Sequence, residues 1–185
     1  MCWKFPDGKT LGWGKGGPQS SQLMELRQRY FGYAFQDSLM VPYLTVKENL
    51  TYPLEIRGSN RRLANEAAIQ AMRPIFEEQT ERFLGQYPVE LSGGELQRIA
   101  LVQSMIHDPS VMFADEPTGS LDQKTRQQVM RLLVEWARTR SGKKMLIWIT
   151  HHDSDPIDHG LGQRLFLYNG HIAWQSYDVS LATWT

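Results

Sequence analysis

Two adjacent glycines sit inside a helix-starting box, Leu91-Ser92-Gly93-Gly94-Glu95. A Ser followed three residues later by a Glu lets hydroxyl and carboxylate each satisfy a backbone N–H at a helix N-terminus, and on its own it means only that a helix starts here. The glycines make that reading too small. Each costs a helix roughly 1 kcal/mol relative to alanine, and what they offer in return is close access to exposed backbone N–H groups. A helix N-terminus with partial positive charge, open amides and a hydroxyl is a cradle for phosphate oxygens.

Behind this box comes the apolar run Val111 to Ala114, ending in Asp115-Glu116-Pro117 and followed by Gly119-Ser120-Leu121-Asp122. A short continuous apolar run fits a strand buried in a parallel sheet, and the carboxyl ends of such strands are where α/β sheets place ligands. Neighbouring strand residues point to opposite faces, so the two carboxylates are expected to have different roles. Asp115 would hold Mg²⁺, and Glu116 would orient and polarise an attacking water. An acidic loop pair is the plainer alternative. Asp122 taken alone reads as the N-cap of the helix after it.

The rest of the pattern supplies a frame. Residues 1–19 carry too many glycines and prolines for a helix and read as a loop or weak hairpin. A short helix capped by Ser20 or Ser21 precedes an aromatic strand, Tyr30 to Phe35, with Gln36 at its end. Helices are expected over Thr45 to Arg57, interrupted near Pro53, and over Leu63 to Leu84, broken at Pro74. The helix from Ser92 has Leu96, Ile99, Ala100, Gln103 and Ile106 on one largely apolar face. Val111–Ala114, an amphipathic helix over Gln123–Arg140 and a buried strand over Met145–Thr150 make a βαβ unit. Arg164–Tyr168 and His171–Trp174 flank Asn169-Gly170 as a hairpin.

LSGGELQR, FADEPTGSLD and WITHHD, in this order, resemble the nucleotide-binding domain of ATP-binding cassette (ABC) transporters over approximately residues 20–175. ADEPTGSLD with YAFQDSLMVPYLTVKENL is most similar to the branch serving lipoprotein release and macrolide or peptide export. The resemblance implies an α/β fold: a P-loop NTPase-like parallel sheet core with an α-helical subdomain at 45–107, within one partial domain spanning 1–185. It implies that Gln36 is the Q-loop glutamine, contacting Mg²⁺ or the water, and that Ser92, Gly93, Gly94 and Glu95 grip the γ-phosphate of ATP held by an opposite subunit. Asp115 becomes the Walker B aspartate, Glu116 the catalytic glutamate, Asp122 the D-loop aspartate at a dimer seam, and His151 the switch histidine. Implied partners are membrane permease subunits and a second ABC ATPase in a head-to-tail dimer, on the cytoplasmic face of the inner membrane.

The phosphate loop GxxxxGK[ST] is not found in the 185 residues. Gly8-Lys9-Thr10 imitates its end, but the first glycine would fall at Trp3, and the following helix would have to contain Gly12, Gly14, Gly16, Gly17 and Pro18. The expectation is an N-terminally truncated chain whose N-terminal strands and phosphate loop are missing, with apolar surface exposed on the remaining sheet. Without the loop's amides and Lys, its own half-site should hold ATP weakly. Two readings follow: an ATP-hydrolysing transporter subunit, or a non-hydrolytic or decayed fragment lending its signature motif to an intact partner.

Composition closes other routes. Twenty Lys plus Arg balance twenty Asp plus Glu, so no net field draws in nucleic acid, which with the lack of a long coiled coil argues against a DNA-repair ATPase. No apolar run approaches the ~20 residues that cross a bilayer, and Met1-Cys2-Trp3-Lys4-Phe5-Pro6 has no apolar signal core, so a soluble cytoplasmic protein is expected. The lone Cys2 can form no internal disulfide. His151-His152-Asp153 lacks a clean metal-ligand spacing. Trp148 and Trp174 read as core and edge aromatics.

Overall fold

The computed structural model describes residues 2–4, 8, 10–12, 20–35, 39–119, 121–138, 144–150, 163–168, 171–178 and 183–184. The chain divides into two compact units, Met1–Ile149 and Thr150–Thr185.

In the first unit, β1 (Cys2–Lys4) and β2 (Thr10–Gly12) form an antiparallel pair. Gly8 has φ 83, a turn conformation open to glycine, and Thr10 already belongs to a strand. Two residues past Gly8 the chain is therefore in a hairpin strand, where a phosphate loop would lead into a helix. Next come α1 (Ser20–Tyr30) and β3 (Phe31–Ala34).

Helix α2 (Val46–Ile56) opens on a capping box: Thr45 Oγ1 accepts from Glu48 N–H at 3.2 Å, and Glu48 Oε2 accepts from Thr45 N–H at 2.8 Å. Contrary to expectation, Pro53 lies inside this helix without interrupting it. Proline deprives the Asn49 carbonyl of its helical donor, and Gln103 Nε2 supplies another at 2.9 Å. The Asn49 side chain is buried and ties down the preceding loop, accepting from Val41 N–H at 2.8 Å and donating to the Val41, Leu44 and Thr45 carbonyls at 3.0 Å each.

Helix α3 (Arg61–Phe76) likewise carries Pro74 within its last turn, and the break comes later, at Glu77, whose φ of 48 no helix continues. A single 3₁₀ turn, Glu77–Gln79, leads into α4 (Thr80–Leu84). Helix α5 (Gly93–Met105) follows. The helices between β3 and the next strand enclose an apolar cluster around Leu50, Met72, Phe76, Phe83 and Ile99.

Strand β4 (Val111–Asp115), helix α6 (Gln123–Arg138) and strand β5 (Met145–Ile149) make the expected βαβ unit. The parallel order is β3-β4-β5, with Tyr33 opposite Phe113 and Asp115 opposite Ile149. A second cluster joins Ala34, Met112 and Ala114 of the sheet to Leu101 of α5 and Val129, Leu133 and Trp136 of α6, with half-buried Trp148 against it. Helix α5 thus serves both clusters. Its buried residues include Gln97, Leu101 and Ser104 as well as Ile99 and Val102, so it is enclosed on more sides than one apolar face.

Gly32 is the close-approach point of sheet and helix: a Cβ there would lie 2.5 Å from the Ser104 carbonyl oxygen. On β3's alternate residues the Tyr33 ring stacks on Phe113 with centroids 5.4 Å apart, and Phe31 meets Phe113 edge-on at 5.7 Å. Strand β5, expected to be buried, is only partly so; it is the sheet's edge among the described residues, and Met145 and Ile149 are 50% and 54% exposed. Parallel sheets normally cover such apolar strands on both sides.

In the second unit, β6 (Gln163–Tyr168) and β7 (His171–Asp178) form the expected hairpin, pairing Tyr168 with His171, and β8 (Thr183–Trp184) adds to β7. Asn169 and Gly170 lie outside the described residues.

Candidate functional site

The box at Ser92 forms as its sequence dictates. Ser92 N–H donates to Glu95 Oε2 at 2.8 Å, Ser92 Oγ–H donates to the same oxygen at 2.7 Å, and Glu95 N–H reaches Ser92 Oγ at 3.4 Å. These bonds, the Ser92 hydroxyl first and its N–H second, hold the Glu95 carboxyl below the ordinary carboxylate range. Ser92 and Gly93 are exposed, and a Cβ built on Gly93 would meet nothing within 4 Å. The first turn of α5 thus presents backbone amides, a hydroxyl and a carboxylate to solvent.

Asp115 closes β4 with its side chain exposed. Glu116 is no longer strand. Its φ is 44, so the alternation of strand faces does not govern where it points, and that expectation is corrected. The left-handed conformation costs an L-residue roughly 1–2 kcal/mol, and the turn is fastened by Glu116 N–H to the Ile149 carbonyl at 2.9 Å and Gly119 N–H to the Glu116 carbonyl at 3.1 Å. Thr118 is buried beneath it.

Asp122 has a cap's geometry. It accepts from Lys124 N–H at 3.0 Å, Thr125 N–H at 3.1 Å and Thr125 Oγ1–H at 2.6 Å. The Thr125 hydroxyl, then its N–H, lower the Asp122 carboxyl below its usual value.

The glycine box and the acidic turn come together through residues whose roles the sequence did not announce. A Cβ on Gly94 would touch Leu121 and Thr125 at 3.6 Å, an ordinary contact that brings the box against the Asp122 cap. Gln97, buried, donates from Nε2 to the Pro117 carbonyl at 2.5 Å. Arg98 donates from Nη1 to Gln128 Oε1 at 3.1 Å. Gly94, Gln97 and Arg98 form one stripe at helical spacing, and that spacing was the available signal: a Gln on the side of a helix facing a strand-end turn. Gln36 and His151 lie outside the described residues, as do His152 and Asp153.

No group of three or more His, Cys, Asp or Glu gathers among the described residues. Magnesium needs only one or two carboxylates when phosphate oxygens and water complete its shell, so the exposed Asp115 carboxylate fits a magnesium shared with a nucleotide. No helix among the described residues is long and apolar enough to cross a membrane.

Comparison with known proteins places the chain in a family. The sequence model of the ABC transporter family matches residues 11–119, more than half of the chain. The bacitracin export ATP-binding protein BceA of Halalkalibacterium halodurans is 32% identical over 85% of this chain and 59% of its own length. The lipoprotein-releasing system ATP-binding protein LolD of Syntrophotalea carbinolica is 35% identical over 81% of this chain and 63% of its own length. The chain therefore spans about three-fifths of the curated relatives it matches. Among solved structures, a dimeric post-hydrolysis state of the ATP-binding cassette MJ0796, bound to ADP and Pi, superimposes with a TM-score of 0.73 at 28% identity, over 86% of this chain and 68% of that one. Motif order, parallel sheet and family match agree: the chain belongs to the ABC transporter family and has the P-loop NTPase-like α/β fold of its cassettes.

Proposed function

We propose that the protein is the ATP-binding and ATP-hydrolysing subunit of a transporter, coupling hydrolysis to export or lipoprotein release through membrane permease subunits at the cytoplasmic face of the inner membrane. In this reading residues 1–185 are part of one cassette domain, with 45–107 as its helical subdomain, and two cassettes meet head to tail. The observation that carries it is the exposed, glycine-opened start of α5 lying against the segment that holds Asp115, Glu116 and Asp122.

Each residue then has a task. Ser92, Gly93 and Gly94 would donate hydrogen bonds to the γ-phosphate of a nucleotide bound by the opposite subunit, with the helix N-terminus favouring its negative charge. Glu95 orients Ser92. Glu116 polarises the water that attacks the γ-phosphorus as the bond to the β-bridging oxygen breaks. Asp115 and Gln36 would hold Mg²⁺, which neutralises charge on the phosphates when bound; His151 would meet the γ-phosphate, and Asp122 shapes the seam. The export names of BceA and the lipoprotein-release name of LolD support the choice of branch.

The test is ATP turnover by the protein isolated in the assembly it forms in its own cells. Glu116→Gln should lower kcat by about a hundredfold or more while ATP-dependent association with the second cassette persists, because water activation is lost and the phosphate grip is not. Undiminished turnover would remove Glu116 from its role. A second reading, a subunit lending its signature to an intact partner without hydrolysis of its own, rests on the exposed box at Ser92 and Gly93 alone. It predicts ATP-dependent association that Ser92→Arg abolishes and turnover that Glu116→Gln leaves unchanged.

A further inference from the structure

We propose that Gln97 is a positioning residue that carries the seating of Ser92, Gly93 and Gly94 on a phosphate to Glu116 of the same chain, through its hydrogen bond to the Pro117 carbonyl. The proposal rests on the ATPase reading above and adds to it a route between two motifs that serve different nucleotides.

Three observations carry it. First, Glu116 holds a positive φ of 44, a conformation an L-residue keeps only when its surroundings fix it. Two of the bonds that fix the turn are backbone ones, to Ile149 and within the turn itself. The bond from Gln97 Nε2 to the Pro117 carbonyl, at 2.5 Å, ties the same turn to the signature helix α5.

Second, Gln97 is 8% exposed in a helix whose other buried members are mostly apolar. A carboxamide is costly there unless its hydrogen bonds are made, and an apolar residue of similar size would pack without that demand. Placing a donor opposite a buried proline carbonyl fixes the distance between helix and turn in a way that apolar contact does not.

Third, the bond has company. Gly94 lies against Leu121 and Thr125, and Arg98 reaches Gln128 at 3.1 Å, so the first two turns of α5 are keyed to the segment from Pro117 to Gln128 along one stripe. A displacement of α5 as its N-terminus closes on phosphate therefore displaces the turn that aims Glu116. Because a misplaced general base loses rate far more than it loses substrate affinity, the effect belongs in kcat.

The experiment has two arms. On the full 185-residue chain, amide hydrogen exchange is compared between wild type and Gln97→Met, an apolar near-isostere. The Gly119 and Leu121 amides, whose bonds close the turn and its exit, should exchange about fivefold faster or more in the variant, with α3 unchanged. Equal exchange overturns the proposal. In the native assembly, Gln97→Met should lower kcat about tenfold with KM for MgATP within about twofold, and Gln97→Lys, which keeps a donor, should recover to within about threefold of wild type. A merely packing role predicts the opposite order, with Met tolerated and Lys not. Turnover that depends on Glu116 but ignores Gln97→Met overturns the positioning role and leaves the ATPase reading intact; a wild-type assembly without Glu116-dependent turnover overturns both.

Discussion

Gln103 Nε2 donates to the Asn49 carbonyl at 2.9 Å, across 54 residues of chain, and so supplies the hydrogen bond that Pro53 cannot. This contact lets α2 pass through a proline unbroken and pins it to α5. Replacing Gln103 by Met leaves the carbonyl without that donor, and an unmet buried acceptor costs about 1–3 kcal/mol. Urea unfolding should show that loss as a lower midpoint at unchanged slope. If Gln103→Met instead unfolds like wild type, water or a shifted backbone replaces the bond.

His107 offers a pH-dependent test. It is largely buried at the end of α5, its Nε2 lies 3.1 Å from the Phe31 carbonyl, and burial first, then the Arg57 guanidinium, push its pKa down to about 4; the Phe31 bond and Asp108 oppose the shift. With the native value below the unfolded one near 6.5, the unfolded chain binds the extra proton between those limits. Stability attributable to His107 is then complete above about pH 6.5 and declines as pH falls toward 4, by roughly 3 kcal/mol over the full window. His107→Gln keeps an N–H for Phe31 but cannot titrate, so its stability profile should be flatter between pH 4 and 6.5, and a profile as steep as wild type would assign the slope to other groups.

Gly32 should tolerate no side chain. The nearest atom to a built Cβ is the Ser104 carbonyl oxygen at 2.5 Å, which belongs to a helix backbone and cannot rotate away, with Met112 and Pro109 at 2.8 and 2.9 Å. Gly32→Ala must push β3 off α5, and overpacking of this kind costs about 1–3 kcal/mol or more. Loss of soluble yield or a melting temperature lower by several degrees is expected; a wild-type melt would show that the strand has room to move.

Ser92→Ala separates the cap from the ligand. Removing the hydroxyl should cost about 1 kcal/mol of stability and release the Glu95 carboxyl toward its ordinary value. Because the native Glu95 pKa is depressed, its contribution is present above the unfolded carboxylate value and is lost as pH falls through the lowered native value. Acid titration followed by helical circular dichroism should therefore show a smaller loss of stability below the carboxylate range in Ser92→Ala than in wild type. An identical acid limb would place that linkage elsewhere.

Legibility in the sequence tracked the range of the interaction. The caps at Ser92 and Asp122, the βαβ unit around β4 and β5 and the hairpin of β6 and β7 were all readable, because a cap is made within three residues and a strand or helix declares itself by its own period. Pro53 was misread as a break because the group that relieves it sits on another helix. The breadth of burial on α5 was missed for a related cause: a helix that serves two clusters shows no single apolar face.

The residue order alone determined the family and the parallel sheet, and it marked out the glycine box and the acidic pair as candidates, since those depend on local chemistry at fixed spacing. Only the tertiary structure decided that Glu116 leaves the strand in a left-handed turn, that β5 is half exposed at the edge of the sheet among the described residues, and that Gln97 bridges α5 to Pro117. The turn and the bridge are each set by a backbone group from a distant segment arriving at hydrogen-bond distance, and no local pattern of side chains encodes where that distant group will lie.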